Sequence, residues 1–381
     1  MNIDFAQAMS RATASVRAQD LASATEIIRA ALAGQDLAEP AAPPSARGFR
    51  IRADVEDAEP AEARGGRRPL REVVDLLRSG RQALDGIDLH LPGVRRPPVP
   101  PLPEGASFAW RSHPTRAGAR RYRLFVPSCA TAELQGLVVM LHGCKQDPDD
   151  FAAGTGMNAL AEEHRLLVAY PEQTGAANAS KCWNWFDPAH QRRGAGEPAE
   201  IAALTRALAV EFGLSNDRVF AAGLSAGGAM AAVLAETYPD LFAAVGVHSG
   251  LAHGSASDVV SAFAAMRGQG TPPRPSSGPG PRLIVFHGTA DAVVHPANAE
   301  TIVRAARADA ADAVTTRGRH GARPWQCRRT TDADARPQVE LWLLEGAGHA
   351  WSGGHASGSF TDPAGPSASA EMLRFFLAKA A

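Results

Sequence analysis

Arg218-Val219-Phe220-Ala221-Ala222-Gly223-Leu224-Ser225-Ala226-Gly227-Gly228-Ala229-Met230 runs from apolar residues through Gly-x-Ser-x-Gly into small, helix-compatible residues. This is the sequence form of a strand turning sharply into a helix, with one serine presented at the corner. It predicts acyl transfer through a serine ester and says where the serine's partners should lie. With 36 glycines in 381 residues, five letters carry little weight alone, so the context decides.

Working outward, short apolar runs recur. Arg121-Tyr122-Arg123-Leu124-Phe125-Val126 alternates like a strand. Leu137–Leu141, Leu166–Tyr170, Val219–Ala222, Phe242–Val247, Leu283–Phe286 and Val339–Leu344 are continuous apolar or nearly so. Residues 199–212 and 369–379 read as helices. Buried strands alternating with helices predict an α/β fold, a mostly parallel sheet covered on both faces. Residues 268–282, rich in Gly, Pro and Ser, predict a surface loop, and no internal repeat is visible.

A serine hydroxyl needs a base within hydrogen-bond reach and a group that orients the base. Behind an elbow of this kind the acid and then the histidine follow, each on a loop after a later strand. After 283–286 comes His287-Gly288-Thr289-Ala290-Asp291, and after 339–344 comes Glu345-Gly346-Ala347-Gly348-His349. Ser225, Asp291 and His349 thus appear in the expected order, each at the end of its own strand. His248, His253, His287, His295 and His355 lack that last-strand context and read as structural or solvent-facing. Asp258, Asp312 and Asp362 read as surface or capping carboxylates. The oxyanion of the transition state needs backbone N–H donors. Ala226 N–H is one candidate. Cys144 N–H, in Leu141-His142-Gly143-Cys144-Lys145-Gln146, is the other.

Composition bounds the rest. The apolar fraction of 45% suits a globular core, and the net charge of −1 argues against nucleic acid as the main partner. No apolar run approaches a membrane span, and the N-terminus lacks a signal-peptide pattern, so a cytoplasmic location is expected. Four cysteines are too few for a disulfide scaffold, and their spacing gives no zinc site. Residues 1–105 read as an N-terminal extension: helical segments in 3–33, a disordered linker over 34–69, a short helix around Val73–Leu77 and a proline-rich connector. Residues 106–381 read as the catalytic domain.

Taken together, the motifs around 141–146, Tyr170-Pro171-Glu172-Gln173, Cys182-Trp183-Asn184-Trp185-Phe186, 223–230, His248-Ser249-Gly250, 287–291 and Gly348-His349-Ala350-Trp351 resemble the polyhydroxybutyrate depolymerase family of serine esterases. The resemblance spans about 120–380. It implies an α/β-hydrolase fold and hydrolysis of 3-hydroxybutyrate esters, polymeric or oligomeric, with no cofactor or metal. It supports the triad and Cys144, and suggests a disulfide between Cys144 and Cys182, in tension with a reducing cytoplasm. Cys129 and Cys327 read as ordinary thiols. The family also contains feruloyl and acetyl xylan esterases, which are the same-class alternative. A noncatalytic granule- or partner-binding protein is the alternative of another class. Without a signal peptide or an added polymer-binding domain, the chain looks like an intracellular member, acting on granules or soluble oligomers. Residues 1–105 would serve as a granule contact or a passive extension. Apolar esters favour aromatic clefts, which makes Trp183, Trp185, Phe186 and Trp351 the candidate substrate-binding walls.

Overall fold

Six apolar runs form the parallel centre of a ten-stranded sheet. In spatial order the sheet is β1 (Ser107–Thr115), β2 (Gly118–Val126), β4 (Leu166–Pro171), β3 (Gly136–Leu141), β5 (Val219–Leu224), β6 (Ala244–His248), β7 (Arg282–Gly288), β10 (Pro337–Leu344), β9 (Arg323–Thr331) and β8 (Val314–His320). Pairing is parallel from β4 to β10. It is antiparallel at both margins. The computed structural model describes residues 102–116, 118–272, 280–306 and 313–378. The helices, linker and most of the proline-rich connector expected before residue 102 lie outside the described residues, as does Asp312.

The central strands are mostly apolar on both faces because helices cover both sides. Alternate residues of one strand enter opposite cores, as a period of two requires. Leu137, Val139 and Leu141 of β3 join one core, with Ile201 and Leu204 of α3 (Gly196–Glu211), Met230 and Leu234 of α4 (Ala226–Thr237) and Ile302 of α6 (Ala297–Ala305). Val138 and Met140 join the other, with Phe151 of α1 (Pro148–Thr155), Met157 of α2 (Met157–His164) and Leu373 and Phe376 of α7 (Ala368–Phe376). A short α5 (Val259–Ala264) follows β6 on the first side.

The margins are built differently. β8 and β9 carry arginines rather than apolar runs, and carboxylates of other elements hold Arg328 and Arg329 of β9. Glu340 of β10 is fully buried, yet it meets Arg329 of β9 at 2.7 Å, the Trp342 indole at 3.0 Å and Arg374 of α7. Arg328 of β9 pairs with Glu300 of α6. These two strands and β1 are additions to the sheet that the sequence pattern did not predict. A helical turn over 265–269 overlaps the start of the expected loop 268–282, and β7 takes its last residue, Arg282.

Parallel pairing sends the carboxyl ends of β3, β5, β7 and β10 to one edge of the sheet. Loops leaving that edge converge, and ligands gather there in open α/β sheets.

Candidate active site

Ser225 sits at the corner between β5 and α4 with φ 57° and ψ −120°, a backbone conformation that costs a non-glycine residue about 1–3 kcal/mol. The neighbouring glycines make the corner possible. A Cβ on Gly227 would lie 2.0 Å from the Leu141 carbonyl oxygen, and one on Gly223 would lie 2.4 Å from Gly227 itself. The turn therefore packs backbone against backbone, which only glycine permits. Ser225 N–H donates to the His248 carbonyl at 2.9 Å, tying the corner to the next strand.

The loops after β7 and β10 are stitched together. Thr289 N–H donates to Leu344, and Ala290 N–H to Ala347. A Cβ on Gly288 would approach the Ala347 oxygen to 2.3 Å, so the two loops touch through bare backbone. This contact sets Asp291 beside His349, with Oδ2 2.8 Å from Nδ1. The second oxygen, Oδ1, accepts the N–H groups of Val293 at 2.9 Å and Val294 at 2.8 Å. Burial opposes ionisation of Asp291. The His349 hydrogen bond and charge, the nearby His287 and the Val294 N–H outweigh it and hold the carboxyl at about 2. The acid is therefore a carboxylate at neutral pH, oriented by two backbone donors and aimed at one imidazole nitrogen.

Ser225 and His349 line a common cavity of about 100 Å³, together with Cys144 and Ala226. No hydrogen bond joins Ser225 Oγ to His349 among the described residues; such contacts often tighten only with substrate bound. The N–H groups of Cys144 and Ala226 likewise have no acceptor among the described residues. The rest of the wall is mostly apolar, including Trp185, Phe186, Leu251, Phe263, Met266 and Val294. Among the described residues, no three His, Cys, Asp or Glu side chains gather as a metal site, and no helix is long and apolar enough to cross a membrane.

Two of the three tryptophans expected in the wall are elsewhere. Trp183 is fully buried and donates its indole N–H to the His142 carbonyl at 3.1 Å. Trp351 is also buried, donates to Ser369 Oγ at 3.0 Å and packs on Phe151 and His248. Both fill core beneath the site; Trp185 alone reaches the cavity. Their indole N–H groups explain the placement, since each meets an acceptor inside the core.

The competing groups have local partners. His248 Nε2 accepts the Ser352 N–H, and burial pushes its pKa down to about 3. His287 donates to the Val294 carbonyl, and burial lowers its pKa too. His253 bonds the Gln191 carbonyl, His295 accepts the Ala297 N–H and His355 meets Ser357. Asp258 caps α5, and Asp362 pairs with Arg323. Cys129 and Cys327 are free, with burial raising the Cys327 thiol to about 12.

Cys144 and Cys182 form a disulfide. It ties the loop after β3 to the segment carrying Trp183 and Trp185. A buried polar group anchors that segment in turn. Gln173 donates to the Cys182 carbonyl at 2.9 Å and to Glu197 at 2.6 Å, and Glu197 accepts both the backbone and side-chain N–H groups of Asn184. No sequence signal marks Gln146, Gln173 or Glu197 for these roles. The first two lie inside the motifs at 141–146 and 170–173, but their work is to hold backbone, which leaves no chemical signature.

The family model described as esterase PHB depolymerase matches residues 120–322, which include Ser225 and Asp291; His349 lies beyond. A poly(3-hydroxyalkanoate) depolymerase C from Paucimonas lemoignei is 33% identical over 234 residues, covering 56% of this chain and 54% of that protein. The chain thus spans about half the length of that relative. A feruloyl esterase B from Neurospora crassa is 33% identical over 205 residues, covering 49% of this chain and 68% of that one. An acetyl xylan esterase structure from Aspergillus awamori shares the fold, with a TM-score of 0.56 at 20% identity, over 71% of this chain and 100% of that one. With more than half of its 381 residues matched by the family model, the chain belongs to the esterase PHB depolymerase family, on an α/β-hydrolase fold.

Proposed function

We propose that the protein is a serine esterase cleaving 3-hydroxybutyrate ester bonds, in polymer or oligomer, through an acyl-enzyme. The observation carrying this reading is the Asp291–His349 hydrogen bond of 2.8 Å in the wall of a cavity that also exposes Ser225. Asp291 holds His349 with one nitrogen protonated, leaving the other free to take the Ser225 proton as Oγ attacks the ester carbonyl. The carbonyl oxygen gains negative charge and is met by the N–H groups of Cys144 and Ala226. His349 then protonates the departing hydroxyl, the acyl group stays on Ser225, and water repeats the two steps in reverse roles. The apolar wall suits an acyl chain with little polarity.

The depolymerase relative from Paucimonas lemoignei supports the polyester reading. The feruloyl esterase relative from Neurospora crassa favours a second one, an esterase for plant cell-wall esters. Cytoplasmic residence, at or near a polyester granule, accompanies the first reading. Cell fractionation tests it. Recovery with the granules of the cytoplasmic fraction supports it, and recovery outside the cytoplasm overturns it.

The main test is a substrate panel: p-nitrophenyl butyrate, 3-hydroxybutyrate oligomers, native granules, feruloylated sugars and acetylated xylan, each with wild type and Ser225→Ala. We expect hydrolysis of the butyrate and the oligomers, falling by roughly 10⁴-fold or more in the variant. Preference for feruloylated or acetylated sugars selects the second reading. Failure of the wild type on every ester leaves a noncatalytic binding protein on this fold.

A further inference from the structure

We infer that Met266 sets the length of acyl chain that this site takes. The inference deepens the esterase reading above and rests on it. Val259, Ala262, Phe263 and Met266 recur at i, i+3, i+4 and i+7, the spacing of one helical face. α5 and the helical turn that continues it over 265–269 carry these residues, and all four line the cavity. The other side of the same segment is core, where Ala264 and Ala265 are buried.

The wall so formed is a hydrocarbon one. None of the four side chains carries a hydroxyl, an amide or a charge, and Leu251, Val293 and Val294 extend the wall in the same chemistry. Such a wall leaves a phenol or a sugar hydroxyl without a partner and suits an alkyl chain. The acyl half of the ester stays bonded to Ser225 through both half-reactions, whereas the alcohol half must leave. An apolar wall beside the serine therefore serves the acyl half.

Within the wall, Val259 is exposed and Ala262 carries only a methyl group. Phe263 and Met266, both half-buried, are the two large groups of the face. Met266 is the adjustable one, because the segment is fastened at that point through backbone. His295 N–H donates to the Met266 carbonyl at 2.7 Å. The buried Asn298 side chain donates to the Ala265 and His295 carbonyls, each at 3.0 Å. His295 follows Val293 and Val294, whose N–H groups hold the Asp291 carboxylate. The acid loop and the wall thus share one frame, and that frame grips the main chain of residue 266 rather than its side chain. The thioether, unbranched and flexible, fills the space beside a short acyl chain, and shortening it opens that space to a longer one.

The test is kcat/KM for p-nitrophenyl acetate, butyrate and octanoate with wild type, Met266→Ala and Met266→Trp. Ratios between esters are read within each enzyme, so a general loss of fold or activity cancels. We expect the octanoate-to-butyrate ratio to rise at least about fivefold in Met266→Ala, and the butyrate-to-acetate ratio to fall at least about fivefold in Met266→Trp. A smaller change in either variant overturns the inference, as does a shift produced by Phe263→Ala and not by Met266→Ala. Where a variant does not fold, an alkyl fluorophosphonate tipped with a diazirine decides on the wild type. Once it has labelled Ser225, photolysis should join its tip to the peptide carrying Met266, and a tip joined only to other peptides overturns the inference. A wild type inert to all three esters and to the fluorophosphonate defeats the esterase reading and this inference with it. An active wild type with unmoved ratios defeats the role of Met266 alone.

Discussion

Ser225 stands between two unlike arms. In the proposed mechanism Asp291 and His349, on one side, act through side-chain charge and a mobile proton. On the other, Cys144 and Ala226 offer only backbone N–H groups, and the residues that hold Cys144 are neutral: the His142 ring, the Gln146 amide and a disulfide. The first arm must change its protonation during the reaction, so it needs titratable groups with a fixed orientation. The second must not change at all, so it needs rigidity without charge. The same difference explains why their supports differ. Asp291 is steadied by two backbone N–H donors, and the oxyanion turn by three separate side chains and a covalent bond.

The largest effect that can sharpen this contrast is on the charged arm. Asp291→Asn keeps the shape but lets His349 take the wrong tautomer. We expect kcat to fall about 10³- to 10⁴-fold near neutral pH, measured on p-nitrophenyl butyrate. A loss under about tenfold would mean that Asp291 is not what orients the base.

A smaller effect belongs to the neutral arm. Cys182→Ala removes the disulfide across 38 residues, which in a chain-entropy picture is worth about 4 kcal/mol of stability. We expect a lower melting temperature and a drop in kcat of roughly tenfold, with KM nearly unchanged, since the Cys144 donor is loosened rather than removed. A lower melting temperature with intact kcat would show that hydrogen bonds alone hold the oxyanion turn.

The smallest effect is in acid stability and involves both arms. His142 and His248 have folded-state pKa values of about 4 and about 3, below the unfolded value near 6.5. The unfolded chain therefore binds more protons at these sites as pH falls below about 6.5, and stability is lost from there down to about pH 3. Asp291, held at about 2, adds a loss that begins below the unfolded value near 4. Denaturant titrations from pH 7.5 to 4 should show a progressive fall. A flat profile between pH 6.5 and 4.5 would mean that the buried histidines are not held neutral.

Legibility in the sequence follows the same division. Ser225, Asp291 and His349 stand out because their side-chain types suit the proposed chemistry and because each follows a run buried on both faces. The six central strands are visible for that second reason. β8 and β9 are not: β8 is largely exposed and carries no apolar run, and Arg328 and Arg329 of β9 are held by Glu300 and Glu340 of other elements. The tryptophans misled because nearness in sequence does not set direction. Trp183 and Trp185 lie two residues apart, yet one fills core under His142 and the other reaches the cavity. His142, Gln146 and Gln173 were legible as members of a motif but not in their roles, which consist of gripping backbone.

The most direct test is rapid-quench mass spectrometry of the wild type with p-nitrophenyl butyrate, followed by peptide mapping. One butyryl group should appear on the peptide carrying Ser225 before steady state and be absent from Ser225→Ala. An adduct on another residue, or turnover that continues undiminished in Ser225→Ala, would contradict the proposed mechanism.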